Sequence, residues 1–364
     1  MPVLGYLLWC TLGRRAVTPL RDIHIPSWWK HAAERILKNR WRKILVVGAS
    51  DRGKSTYCLF LCRTLCEAGF PVAFVDADVG QKNVGPPATI SLAVLEGKWD
   101  LSTWQPERLY FVGNTSPVGR MLPMIVGTRK MVDAADTPFV VVDTTGLVHG
   151  PGRILKAYQI DSIQPDAVVC IEHHQELEPL VRSHPTVNII RIGASRHAVL
   201  KSRQERAAAR ERSFRAYFNS AGDVNLKIPD VVFQPFSILD AIQMTVDGSP
   251  YAEEYPDGII GVSKNRKELF QADMTALRPG LEQNLLCGVL DGRGDAKGLA
   301  LLNKMDLSHQ TVSLCTPVPA GKIKVLQQGD LYLNRDGKEL GYVAHRRPLS
   351  SSSQIPPQDS SSPR

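Results

Sequence analysis

The residues with the most evident chemistry are Gly48-Ala49-Ser50-Asp51-Arg52-Gly53-Lys54-Ser55-Thr56, which fit GxxxxGK[ST]. An apolar run, KILVV, precedes them, and a segment of helical periodicity follows, the context in which this pattern cradles phosphate. The glycines let the backbone turn so that its N–H groups face phosphate oxygens. The helix start adds partial positive charge. Lys54 is placed to reach a terminal phosphate, and the Ser55 hydroxyl to hold Mg²⁺. Further on, Asp76-Ala77-Asp78-Val79-Gly80-Gln81 ends an apolar run, where carboxylates of a parallel strand point into a ligand crevice. Asp78 is suited to accept a proton from a hydroxyl or to order water on a metal, or else to cap a turn. Asp143 closes FVVV and suits a metal ligand acting through water. Thr115-Ser116-Pro117 follows another strand end and is either a ligand contact or a turn. Arg203, Arg206 and Arg210 recur at i, i+3 and i+7 on one face of a basic helix over 201–218. They form either a solvated face or a lid that brings positive charge to a transferring phosphoryl group.

Regular elements must hold these groups together. PVAFVDAD, RLYFVG, TPFVVVDTTG, PDAVVCIE and TVNIIRIG read as buried strands after the first one, with helices between them. Continuous apolar strands alternating with helices predict an α/β fold of the P-loop type, a parallel sheet covered by helices on both faces. Phe214, Tyr217 and Phe218 should anchor the end of the basic helix. Beyond residue 222 short strands and turns predict a small all-β domain. There DGRGD and DLSHQ read as hairpin loops. The expected organisation is a basic N-terminal segment with a helix (1–43), a P-loop domain (44–222), a β domain (223–346) and a disordered Ser/Pro tail (347–364).

The length of 364 residues allows two domains. The net charge of +8 is unevenly placed. Residues 1–43 carry nine Lys/Arg against two Asp/Glu, and 191–215 carry eight against two, so the rest of the chain stands at −5. Two basic stretches on an acidic body suggest an anionic partner. Seven Cys without any CxxC, three of them (Cys58, Cys62, Cys66) four apart on one helix, read as reduced core thiols. A reducing compartment follows, cytoplasmic or, in a eukaryote, nuclear. No apolar run of ~18 residues exists to span a membrane. The first fifteen residues, whose charges follow the apolar run, make a poor signal peptide.

Two further strings compete for attention. Asp143-Thr144-Thr145-Gly146 fits DxxG, and Asn303-Lys304-Met305-Asp306 fits NKxD, so with the phosphate loop a GTPase-type switch is an alternative. The NKxD string sits in a hairpin pattern about 250 residues away, which weighs against it. A non-catalytic ATP-binding scaffold is the other alternative.

In combination, GASDRGKST, VDADVGQ, NTSPVG, VVVDTTGLVHGPG and the RxxRxxxR helix resemble the polynucleotide 5′-hydroxyl kinase family over about residues 26–346. That family includes the kinase subunit of the pre-mRNA cleavage factor, the nucleolar pre-rRNA kinase, and shorter archaeal and bacterial members. The resemblance implies Mg²⁺-dependent transfer of the ATP γ-phosphate to the 5′-OH of RNA or DNA. It implies phosphate and metal binding by Lys54 and Ser55, a general base at Asp78, and support of that environment by Gln81. It places Thr115 and the TxG threonine Thr145 at a substrate clasp, and candidates for the lid at Arg203, Arg206 and Arg210. The two basic stretches are then expected to hold strand phosphates. Two departures stand out: residues 1–43 leave no room for the N-terminal β domain of longer members, and Leu147 occupies a clasp position where several members have Trp.

Overall fold

A computed structural model describes residues 24–97, 104–234, 242–246, 249–255, 258–262, 274–277 and 283–343. The leader reading and the Ser/Pro tail therefore lie outside the described residues. Helix α1 (Ser27–Asn39) precedes strand β1 (Lys43–Gly48). It ends short of β1 because Arg40 takes a left-handed conformation and its N–H caps the carbonyls of Ile36 and Leu37. Then come α2 (Lys54–Glu67), β2 (Val72–Ala77), β3 (Thr89–Leu95), β4 (Arg108–Phe111) and α3 (Met121–Asp133). They are followed by β5 (Phe139–Thr144), α4 (Pro151–Ile163), β6 (Ala167–Glu172), α5 (Glu178–Arg182) and β7 (Asn188–Gly193).

Strands β2, β5, β1, β6 and β7 pair in that order, all parallel. β1 alternates Ile44 and Val46 into a core under α1 and α2 with Leu45 and Val47 into a core under α3 and α4. That two-sided burial is why β1 reads as an unbroken apolar run. RLYF does not join as a parallel strand. The sequence pattern passed over β3, which follows β2 without a helix, and a connection of that length without a crossover enforces antiparallel pairing. β4 then pairs antiparallel with β3. The sheet is therefore mixed, with a parallel core.

The basic segment over 201–218 forms α6 (Arg203–Phe218), opened by a capping box between Ser202 and Glu205. After it come β8 (Gly222–Lys227), β9 (Val232–Gln234), β14 (Leu285–Leu290), β15 (Ala296–Asp306), β16 (Thr311–Thr316), β17 (Val325–Leu333) and β18 (Glu339–Tyr342). A separate sheet orders β10 (Ile242–Val246), β11 (Ser249–Tyr255), β12 (Gly258–Val262) and β13 (Met274–Leu277). DGRGD and the SHQ turn join β14 to β15 and β15 to β16, as the hairpin pattern predicts. The β region is not detached: β15 meets β4 at Ala296 and Leu109, so one path of strands runs from β18 to β7. Phe214, Tyr217 and Phe218 pack with Phe111, Leu286 and Leu331 in a core that binds α6 to this junction.

The six described cysteines, including Cys58, Cys62 and Cys66, are buried and free, and no cluster of metal-ligating side chains occurs among the described residues. No described helix is long and apolar enough to cross a membrane.

Candidate active site

The phosphate loop leaves the C-terminal end of β1. Asp51 (φ 60°) and Gly53 (φ 87°) both adopt left-handed conformations, and Gly53 caps α2. Lys54 is buried, and its Nζ donates to the Ala49 carbonyl 3.0 Å away, folding the side chain over its own loop. Arg52 leans outward to Glu176 at 3.4 Å. The Thr144-Thr145-Gly146 turn presses on this loop: a Cβ on Gly146 would stand 2.3 Å from Ser50 Oγ and 2.7 Å from Ser50 backbone nitrogen.

Asp143 sits beside Val46 in register and is fully buried. Neither carboxylate oxygen has a hydrogen-bond partner of ordinary geometry. Burial, with the neighbouring Asp76 charge, pushes its carboxyl up to about 7, against the pull of Lys54 and the Ser55 hydroxyl. Two orphaned carboxylate oxygens beside a serine hydroxyl form an oxygen set that suits a hard divalent cation.

The two aspartates after β2 have different tasks. Asp76 is buried, pairs with Lys82 at 3.2 Å, and accepts the N–H groups of Asn83 (2.6 Å) and Val84 (3.0 Å). It shapes the loop. Asp78 lies on that loop, where its Oδ1 accepts the N–H of Gly80 (2.9 Å) and Gln81 (3.0 Å). This turn fixes its rotamer at the edge of the cleft. Gln81 Nε2 donates to the Arg206 carbonyl at 3.2 Å, tying the loop to α6.

The three arginines of α6 separate. Arg206 forms an ion pair with Asp51 of the phosphate loop, whose carboxylate also accepts the Lys201 N–H at 3.2 Å. Arg210 instead binds Glu339 on β18, and Arg203 is exposed on the first turn, outside the lining of the cleft. Thr115 donates to Glu339 as well, at 3.4 Å. Thr145 is buried and accepts from Lys156 Nζ at 3.2 Å. Leu147 is half-buried, wedged against Gly152.

Between these groups opens a cleft of about 380 Å³, lined by the loop residues Ser50–Thr56 other than Arg52, by Asp78, Gln81, Gly146 and Arg206, and beyond them by Trp29 and the 195–201 segment. The structure thus brings Lys54, Ser55, Asp78, Gln81 and Arg206 to one space.

A family model described as the mRNA cleavage and polyadenylation factor CLP1 P-loop matches residues 48–220. A polyribonucleotide 5′-hydroxyl-kinase of Pyrococcus furiosus is 31% identical over 339 residues, 88% of this chain and 96% of the relative. One from Methanocaldococcus jannaschii is 32% identical over 325 residues, covering 83% and 90%. The chain belongs to the Clp1-type polyribonucleotide 5′-hydroxyl-kinase family. A solved Clp1p–Pcf11p complex shares the fold, with a TM-score of 0.60 at 14% identity over 85% of this chain and 80% of that one.

Against the sequence reading, one expectation holds and two features depart from it. The NKxD string is remote from nucleotide: Asp306 is occupied by Ser308, Lys304 and His309 in its own turn, which hold its carboxyl below the usual range, and none of the four residues lines the cleft. The basic residues at the end of 1–43 face the wrong way for strand phosphates. Arg42 donates to Thr137 and Ala135 carbonyls and Lys43 to Ile163, all at the N-terminal edge of the sheet, while Arg40 lies over Phe70. Those cations are drawn to helix-end and loop carbonyls. Lys156, finally, stands outside every motif of the sequence. It is fully buried on α4 beside Thr145 and Gln159, and burial pulls its amine down to about 7. The available signal was a lysine on the apolar stripe of GRILKAYQI, flanked at helical spacing by Gly152 and Ile160.

Proposed function

We propose that the protein transfers the γ-phosphate of ATP to the 5′-hydroxyl of RNA, with DNA ends as an alternative acceptor. The observation that carries this is the single cleft that brings the phosphate loop, Asp78 and Arg206 together beside the orphaned carboxylate of Asp143. The N–H groups of residues 48–56 and the α2 terminus bind ATP phosphates. Lys54 exchanges the Ala49 carbonyl for a phosphate oxygen, and Arg206 exchanges Asp51 for the charge that develops on the transferring group. Asp78 has Oδ1 held by the turn, and its other oxygen accepts the 5′-hydroxyl proton. The hydroxyl oxygen bonds to phosphorus as the bond to the bridging β,γ oxygen breaks; ADP departs, and the proton on Asp78 passes to solvent. Thr115 and Thr145 frame the strand end, and Gln81 holds the Asp78 loop against α6.

Ser55 and Asp143 are the residues that would hold Mg²⁺, which supplies charge neutralisation on the phosphates when bound. Most of the rate gain comes from positioning and fixed charge.

The test incubates the protein with labelled ATP and 5′-OH RNA or DNA oligonucleotides. Wild type is expected to label the 5′ end, and Lys54→Ala to lose at least about a hundredfold in rate, as for removal of a main transition-state contact. Equal labelling by wild type and Lys54→Ala on both acceptors overturns the reading.

A further inference from the structure

One side chain of the C-terminal β strands meets both α6 and the Thr115 loop. Glu339, the first residue of β18, accepts Arg210 Nε at 2.6 Å on Oε1 and Arg210 Nη2 at 3.2 Å on Oε2. Oε1 also receives the Thr115 hydroxyl at 3.4 Å. A carboxylate gripped by a guanidinium fork has a fixed orientation, and partial burial strengthens it beyond a surface pair. We infer that Glu339 is a positioning residue that fastens the lid helix α6 to the Thr115 loop and so sets the grip on the 5′ end of the strand.

The surroundings pin Glu339 from both sides. The β17–β18 turn is seated on α6. Gly337 there has φ 82°, a Cβ on it would stand 2.4 Å from the Glu211 carbonyl, and Arg215 Nε donates to the Asp336 carbonyl at 3.1 Å. On the other side, Asp330 of β17 pairs with Arg120 and accepts from Asn114 at 3.3 Å, and its N–H donates to the Gly113 carbonyl at 2.8 Å. The Thr115 loop is thereby bound to β17 at three points.

These contacts lead to the acceptor side. The position a Cβ would take on Gly80 is 2.8 Å from the Thr115 carbonyl, so the Thr115 loop abuts the Asp78 turn. Arg210 borders a small space of about 40 Å³ with Gly80 and Gln81 of the same turn. Glu339 thus holds two groups that flank Asp78. The phosphate loop is served by a different pair, Arg206 with Asp51. Loss of Glu339 should therefore fall on the strand and spare ATP. This inference rests on the reading of Thr115 and α6 given above.

Glu339→Gln keeps the shape and removes the charge. Strand affinity is measured by fluorescence anisotropy with a 5′-OH oligonucleotide and ADP, and ATP affinity by titration. The expected result is a strand Kd raised about tenfold, the cost of one charge-assisted contact, with ATP Kd within about twofold. Glu339→Asp should recover part of the loss. Because both act on one contact, Thr115→Val with Glu339→Gln should cost no more than the larger single change. Unchanged strand affinity, or equal loss for strand and ATP with a fall in Tm, overturns the inference. So does additivity with Thr115→Val, or a wild type that does not bind the strand. A wild type that binds the strand and transfers no phosphate overturns the kinase reading while the Glu339 effect on binding still stands.

Discussion

At the residue scale, burial governs the ionisable side chains around the site. Asp143 and Lys156 both lie in the dry wall behind the phosphate loop, each shifted chiefly by burial toward its neutral form. Lys156 faces Thr145 and Gln159 directly and feels Lys54 from α2, Asp78 from its turn and Asp143 from β5. Its pKa is near 7 in the fold against the usual 10.5 of the unfolded chain. Between those values the unfolded chain holds the extra proton, so this group makes stability rise with pH, by at most about 1.4 kcal/mol per unit. Below about pH 7 both states are protonated and the slope ends. Lys156→Met should remove this contribution. Urea unfolding at pH 7.5 and 9.5 measures it, and the gain in stability with pH should be smaller in the variant than in wild type.

Elements decide how closely these residues approach. The Thr144–Gly146 turn at the end of β5 and the phosphate loop at the end of β1 come from adjacent parallel strands, and they touch because residue 146 has no side chain. Gly146→Ala must push Ser50 away through its backbone, not only its hydroxyl. ATP affinity is expected to fall at least about tenfold, of the order of one lost hydrogen bond to a charged group. Fold stability should fall by only about 1–2 kcal/mol, since the turn lies past the C-terminal end of β5 and outside the strand ladder. Nucleotide titration and thermal unfolding on the same sample separate the two effects. Helix α6 is the other element that matters. Its apolar end is clamped by Phe214, Tyr217 and Phe218, and its arginine-bearing start is held by the Arg206–Asp51 and Arg210–Glu339 pairs.

Over the whole molecule, charge is sorted along the strands. β1 alone is six residues long, about 16–20 Å from edge to edge, twice the ~8 Å screening length at physiological salt. Cations at the N-terminal edge are therefore invisible to a strand bound at the other. Lys38→Glu, in the last turn of α1, should leave the KM for a 5′-OH oligonucleotide within about twofold at 0.15 M salt. Arg203→Glu, at the exposed start of α6, changes the charge equally and should raise that KM severalfold, with the difference shrinking as salt is added. Steady-state kinetics at two salt concentrations distinguish the two positions.

Local pattern was enough to locate the phosphate loop, the carboxylates at strand ends, the apolar strands of the parallel core and the basic, aromatic-ended helix α6. Each of these is written in consecutive residues or in a helical repeat, where backbone geometry turns spacing directly into position. What pattern could not decide was pairing between distant segments. β3 and the antiparallel turn of β4 depended on the absence of a crossover helix. The direction of Arg42 and Lys43 depended on which sheet edge they met. Glu339 lies 129 residues from Arg210 and 224 from Thr115, and no local signature marks it. A glutamate opening a short edge strand acquires its place only when β17 and β18 close against α6, because a contact between remote residues exists only once the chain between them has packed.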